Sequence, residues 1–142
     1  MTHKTADARA VLQSYLDALI AGDLDAIAAS FTEDATWSLH GTLPLAGVRR
    51  GRQDILDFLL SAGSLYAPGT QRFTFGEITA EGDRAVLEWQ VQGIASATGK
   101  RYDNEYCAVF VIRDDRISEV REYLDSLHVA DTLFEQSARV AS

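Results

Sequence analysis

The spacing of apolar residues changes character once along this chain, near Gln71. Before that point the period is helical: Val11, Leu12, Tyr15, Leu16 and Leu19 share one stripe of a segment from Thr5 to Ala21. Gly22 closes that helix, and Asp23 is placed to cap a second, short one carrying Leu24, Ile27 and Phe31. A strand is predicted over Ala35 to His40. The loop Gly41 to Gly51, with Pro44 and three glycines, is long enough to form a rim or lid. A third helix, Asp54 to Ala62, turns Ile55, Phe58 and Leu59 inward and stops at Gly63. From Gln71 onward the period is two. Strands are predicted near Gln71–Thr79, Arg84–Ala97, Arg101–Ile112 and Arg116–Asp125, divided by Gly82-Asp83, Thr98-Gly99-Lys100 and Asp114-Asp115. A last helix covers Ser126 to Ala138.

Helices followed by a meander of long strands make an α+β pattern, here one domain over residues 1–142. The curved antiparallel sheet has to wrap around the N-terminal helices to bury its inner face, which forms a cone with an internal pocket. The long strands are expected to be antiparallel neighbours curved around the helix Thr5–Ala21, and a parallel pair would count against this arrangement. In Arg84–Ala97, one face carries Leu87, Trp89 and Val91 and the other Glu88, Gln90 and Gln92, so either face could be the inner one. A sheet with an outer face rich in Val, Leu and aromatics predicts a homodimer through that face.

The polar residues of the last two strands are the candidate chemistry. Alternation puts Arg121, Tyr123 and Asp125 on one face, a guanidinium, a phenol and a carboxylate in a row. Glu105 lies across the turn, within reach of Arg121 in a register centred on Asp114-Asp115, so a Glu105–Arg121 ion pair facing the pocket is expected. Asp125 suits two roles: an acid or base whose pKa an apolar cone raises, or the N-cap of the following helix. Tyr15 lies on the inner helical stripe, where its hydroxyl needs a partner that a ligand can supply. Trp37, Leu39 and Tyr123 offer apolar surface to a ring-shaped ligand, and His40 ends the first strand beside the Gly/Pro loop.

Composition narrows the classes. A net charge of −8 with no basic cluster argues against nucleic acid and against an anionic membrane surface. The one cysteine, Cys107, excludes an internal disulfide, and its place mid-strand suits packing rather than reactivity. Three histidines scattered at 3, 40 and 128 give no metal-binding spacing, and no glycine-rich segment follows a strand to open a helix, so no metal, nucleotide or other cofactor is expected. Met1 to Ala8 holds no signal-like apolar run and no stretch is long enough to span a bilayer, which points to the cytoplasm.

The segments VLQSYLDALIAGDLDAIAASFTEDATW, Arg50-Gly51-Arg52 and NEYCAVFVIRDDRISEVREYLD, in that order, resemble the SnoaL-like branch of the ketosteroid isomerase and nuclear transport factor 2 superfamily. The resemblance runs from Ala8 to about Phe134. It implies the cone fold, and a superfamily of isomerases, cyclases, epoxide hydrolases, dehydratases and binding subunits. It also implies that Tyr15 stands where ketosteroid isomerases keep an oxyanion-hole tyrosine, with Glu105 at or beside their second donor. Leu39, followed by His40, occupies the position of their proton-abstracting aspartate, so that base is missing. Asp125 matches a carboxylate of limonene-epoxide hydrolases and resembles the acid/base aspartate of SnoaL-type cyclases. The Arg-x-Asp pair of the hydrolases is replaced by Gln92 and Ile94. The resulting expectation is cofactor-independent acid/base chemistry of isomerase, cyclase or dehydratase type on a small hydrophobic molecule. The alternative is a binding module whose polar stripe is structural. A catalytic pocket should hold a carboxyl that protein partners do not satisfy.

Overall fold

The computed structural model describes residues 7 to 134, with α1 (Ala8–Ala21), α2 (Leu24–Ala29), β1 (Phe31–Leu39), β2 (Gly47–Arg50), α3 (Arg52–Gly63), β3 (Arg72–Glu81), β4 (Arg84–Ile94), β5 (Arg101–Arg113), β6 (Arg116–Leu124) and α4 (Ser126–Thr132) in chain order. The start of the first helix at Thr5, the last helix beyond Phe134, and His3 lie outside the described residues. Within them, the last helix ends at Thr132 rather than running on.

Six strands form one curved sheet in the order β2-β1-β6-β5-β4-β3. The meander β3 to β6 is antiparallel throughout. One expectation fails: β1 lies parallel to β6, with Trp37 beside Val120 and Leu39 beside Glu122. The chain leaves β1 through α3 and the whole meander before returning, so β6 arrives alongside β1 in the same direction. A second correction concerns the predicted loop, whose Gly47–Arg50 half pairs antiparallel with β1 as the edge strand β2. Three further strands are longer than expected at one end, β1 starting at Phe31, which the helical reading had placed on α2.

Local chemistry fixes the helices. Asp7 accepts from the Ala10 amide at 2.8 Å, and Asp23 from Ala26 at 3.1 Å, each satisfying a donor the first turn leaves open. Gly22 takes the left-handed conformation that ends α1. Asp114 and Asp115 both have positive φ, giving the two-residue turn between β5 and β6.

The concave face of the sheet closes over α1. Leu12, Tyr15 and Leu16 of α1 pack with Phe31, Trp37, Leu87, Phe110 and Val120, and Ile55 and Phe58 of α3 complete that core. A smaller cluster, with Tyr66, Val91, Tyr102, Val129 and Leu133, seals the end beneath α4. Trp89 belongs to the inner face and packs against both. The outer face therefore carries Glu88, Gln90 and Gln92, and it is not the Val-, Leu- and aromatic-rich surface the sequence suggested. Its apolar part is a strip of half-buried valines, with Val86 paired to Val109 across β4 and β5. Cys107, also half-buried there, has its thiol pKa pushed up by burial and by Glu88.

Candidate active site

Between α1, α3, α4 and the sheet lies a cavity of about 250 Å³ with largely apolar walls. Leu16, Leu19, Leu39, Phe58, Leu87 and Phe110 are among its lining residues, and among the described residues its ionisable groups are Glu122 and the tyrosines 15, 66, 102 and 106.

Among the described residues Glu122 is the one carboxyl in the wall. It points inward because β6 carries a bulge: Glu119 faces Val111, yet Ile117 faces Ile112, so Ser118 is an extra residue. Beyond the bulge the inward positions are Val120, Glu122 and Leu124. Glu122 is 6% exposed, and its Oε1 accepts a hydrogen bond from the Trp37 indole at 3.1 Å. Its Oε2 has no hydrogen-bond partner among the described residues, and no fully enclosed side-chain polar atom there lacks one. Oε2 thus opens on the cavity. Burial pushes the Glu122 pKa up to about 7, against smaller opposing effects of the Trp37 hydrogen bond and the Arg49 charge. Arg49 enters from β2, opposite Trp37, with its guanidinium 4.2 Å from the Phe58 ring centre.

Tyr15 is buried and shares the wall with Glu122. Its ring meets Phe31 edge-on at 5.3 Å. The hydroxyl makes no hydrogen bond to another described residue, and burial, with the Glu122 charge, raises its pKa. Of the sequence candidates, Tyr15, Trp37 and Leu39 meet at this cavity.

The other five do not. Glu105 is exposed on the outer face, opposite Gln90, whereas Arg121 faces Val109, so the expected Glu105–Arg121 pair does not form. Arg121 instead binds Glu119 at 2.6 Å, two residues away on its own strand. Tyr123 is outside too, stacked on His40 with ring centres 4.7 Å apart. The Asp125 carboxylate caps α4 by accepting from the His128 amide at 3.1 Å. Gln92 and Ile94 likewise face away from the cavity; Gln92 reaches Asp103 at 3.5 Å. The bulge at Ser118 reverses the parity of β6 beyond it, which turns Arg121 and Tyr123 outward, whereas Asp125 lies past the end of the strand and is held by capping α4.

The sequence reading missed Glu122 and the stripe Tyr102-x-Asn104-x-Tyr106. Both signals were present: Glu122 is flanked at two residues on either side by Val120 and Leu124, an inward pattern, and Tyr102, Asn104 and Tyr106 alternate on β5. Among the described residues no group of His, Cys, Asp and Glu could hold a metal, and no helix is long and apolar enough to cross a membrane.

Solved structures share this architecture. A nuclear transport factor 2-like protein from Burkholderia thailandensis superposes with a TM-score of 0.82 at 18% identity, over 92% of this chain and 100% of the other. A structure described as a putative isomerase from Bacillus subtilis gives 0.70 at 21% identity, over 88% and 91% of the two chains. An epoxide hydrolase of M. tuberculosis, described as limonene-epoxide-hydrolase-like, gives 0.68 at 23% identity, over 96% and 95%. At these identities the likeness concerns the fold. No curated protein sequence matches. The SnoaL-like domain profile, however, matches residues 12–120, most of the chain. The chain belongs to the SnoaL-like domain family, on a fold it shares with nuclear transport factor 2-like structures.

Proposed function

We propose that the cone binds a small hydrophobic molecule and moves a proton on it, with Glu122 as the acid/base group and no cofactor. The observation that carries this reading is the unsatisfied Oε2 of a buried carboxyl facing an apolar cavity. A carboxyl with a pKa near 7 is divided between its two forms at neutral pH, which suits both taking and returning a proton. Trp37 fixes the carboxyl by one oxygen and leaves the other for the guest. The Tyr15 hydroxyl, without a described protein partner, can donate to an oxygen of the substrate as charge develops there. Isomerisation, cyclisation and dehydration all use such a pair.

The roles expected of Asp125, Glu105, Arg121 and His40 have no support from their placement, since none of the four lines the cavity. Deuterium incorporation next to the carbonyl of hydrophobic, enolisable ketones in heavy water tests the proposal. Exchange is expected with the unaltered protein and is expected to fall roughly 10²-fold or more in Glu122→Gln. Equal exchange in the two proteins would overturn the role of Glu122.

A further inference from the structure

The carboxyl of Glu122 stands among aromatic side chains. On β5 it faces Ala108, whose neighbours two residues to either side, Tyr106 and Phe110, both line the cavity. On β1 it lies beside Leu39, two residues from the lining Trp37. Trp37, its hydrogen-bond donor, meets Phe58 at 5.9 Å and Phe110 at 6.4 Å between ring centres, and Phe110 meets Tyr15 at 6.2 Å. Ala108 presents only a methyl group opposite the carboxyl, so rings border the space in front of it rather than fill it.

Such a wall suits positive charge on a hydrophobic guest. Ring faces carry negative potential and attract a cation within about 6 Å of their centres, most strongly where water is excluded. The protein's own Arg49 is held in this way outside the cavity: its guanidinium stands over Phe58, and its Nη1 donates to the Leu45 carbonyl at 2.5 Å. Arg49 does not line the cavity, and among the described residues neither does any other arginine, any lysine or any histidine. Glu122 Oε2 is left as a buried acceptor with no donor among the described residues, and an ionised carboxyl in that place needs one. The net charge of −8 draws cations toward the molecule as a whole.

We propose that the guest of this cavity is a hydrophobic amine, its ammonium group donating to Glu122 Oε2 among the rings of Trp37, Tyr106 and Phe110. The inference rests on the reading of the cavity as a small-molecule site and adds the charge of the guest to it. Alkylamines titrate near pH 10, so the guest arrives as an ammonium ion, while below pH 7 the carboxyl holds a proton. Binding there turns the carboxyl into a carboxylate and releases its one proton to solvent. Affinity for the amine therefore rises with pH up to about 7 and levels above it. The other titratable or charged groups around Glu122 are Arg49 on β2, Tyr15 on α1, Tyr66 after α3, and Tyr102 and Tyr106 on β5. Burial raises the pKa of all four tyrosines, which stay neutral over this range, and Arg49 stays charged.

A matched pair of ligands tests the proposal by calorimetry on the full chain: 2-aminotetralin, a cation at neutral pH, and 2-tetralol, the same skeleton with a hydroxyl. At pH 8 the unaltered protein is expected to bind the amine about tenfold or more tightly than the alcohol. Glu122→Gln is expected to weaken the amine about tenfold or more and to leave the alcohol within about threefold. A second measurement needs no variant. At pH 6, buffers of different ionisation enthalpy are expected to show release of most of one proton on binding the amine and of none on binding the alcohol. Binding of the amine without proton release, or equal losses of both ligands in Glu122→Gln, would overturn the amine site. Binding of the alcohol alone would also overturn it and leave the small-molecule cavity standing. No binding of either ligand to the unaltered protein would overturn the two together.

Discussion

The Trp37 indole N–H donates to Glu122 Oε1 at 3.1 Å, joining residues 85 apart in sequence through the parallel edge of β1 and β6. This bond holds a carboxyl in a buried place where its charge is poorly solvated. The single donor partly offsets the desolvation and does not cancel it, as the raised pKa of Glu122 shows.

Glu122 should make stability depend on pH. Its folded pKa of about 7 lies above the ordinary 4.5, so between those values the folded protein keeps a proton that the unfolded chain releases. Stability therefore falls as pH rises from about 4.5 to 7, by roughly 3 kcal/mol for this group, and stays lowered above. Urea denaturation from pH 5 to 8 is expected to show a decline in the unaltered protein that Glu122→Gln lacks. Parallel curves would mean that the carboxyl is not buried in solution.

Removing the indole N–H should move the titration itself. Because the Trp37 hydrogen bond lowers the Glu122 pKa, Trp37→Phe is expected to carry it above 7. The carboxyl carbon shift, followed by NMR against pH, reads the midpoint directly. An unchanged midpoint would leave the hydrogen bond without energetic weight.

Asp125 separates a capping role from a chemical one. Asn caps a helix as well as Asp does, so Asp125→Asn is expected to retain stability and proton exchange, whereas Asp125→Ala is expected to cost about 1 kcal/mol. A fall of 10²-fold in exchange for Asp125→Asn would restore Asp125 as the proton-transfer residue.

Self-association remains an expectation of the sequence, and on this structure it would use the Val86–Val109 strip of the outer face. Sedimentation at micromolar concentration is expected to give twice 15.6 kDa. A 15.6 kDa species alone would rule the dimer out.

The fold was largely legible because its signals are local. The helical stripe through Tyr15, the caps at Asp23 and Gly22, and the alternation of β4 to β6 all appear within short windows of sequence. The site was less legible because one residue outside the alternation decides it. Counting inward from Ile117 in steps of two reaches Arg121 and Tyr123; counting back from Leu124 reaches Glu122 and Val120. Both Ile117 and Val120 are fully buried, which only a bulge reconciles, and Ser118, bonded to the Val111 carbonyl at 3.1 Å, is that bulge. Glu105 was misjudged for a related reason. A register counted from the turn without a shift already sets Glu105 opposite Leu124, three residues from Arg121, and the observed shift moves it one residue further. The edge strand β2 carries glycine and two arginines in four residues, which reads as loop in isolation and becomes a strand by pairing with β1.

The parallel contact of β1 with β6 also bears on the order in which the chain folds. The strands of the meander meet across short turns, so their pairing closes small loops and can form early. The β1 contact closes a loop of more than eighty residues and has to wait for β6. A chain in which β1 has not docked lacks the indole donor to Glu122 and the β1 wall beside it, so an ordinary carboxylate titration is expected of Glu122 there. The raised pKa of Glu122 is thus expected to appear only once β1 has docked and Trp37 has arrived.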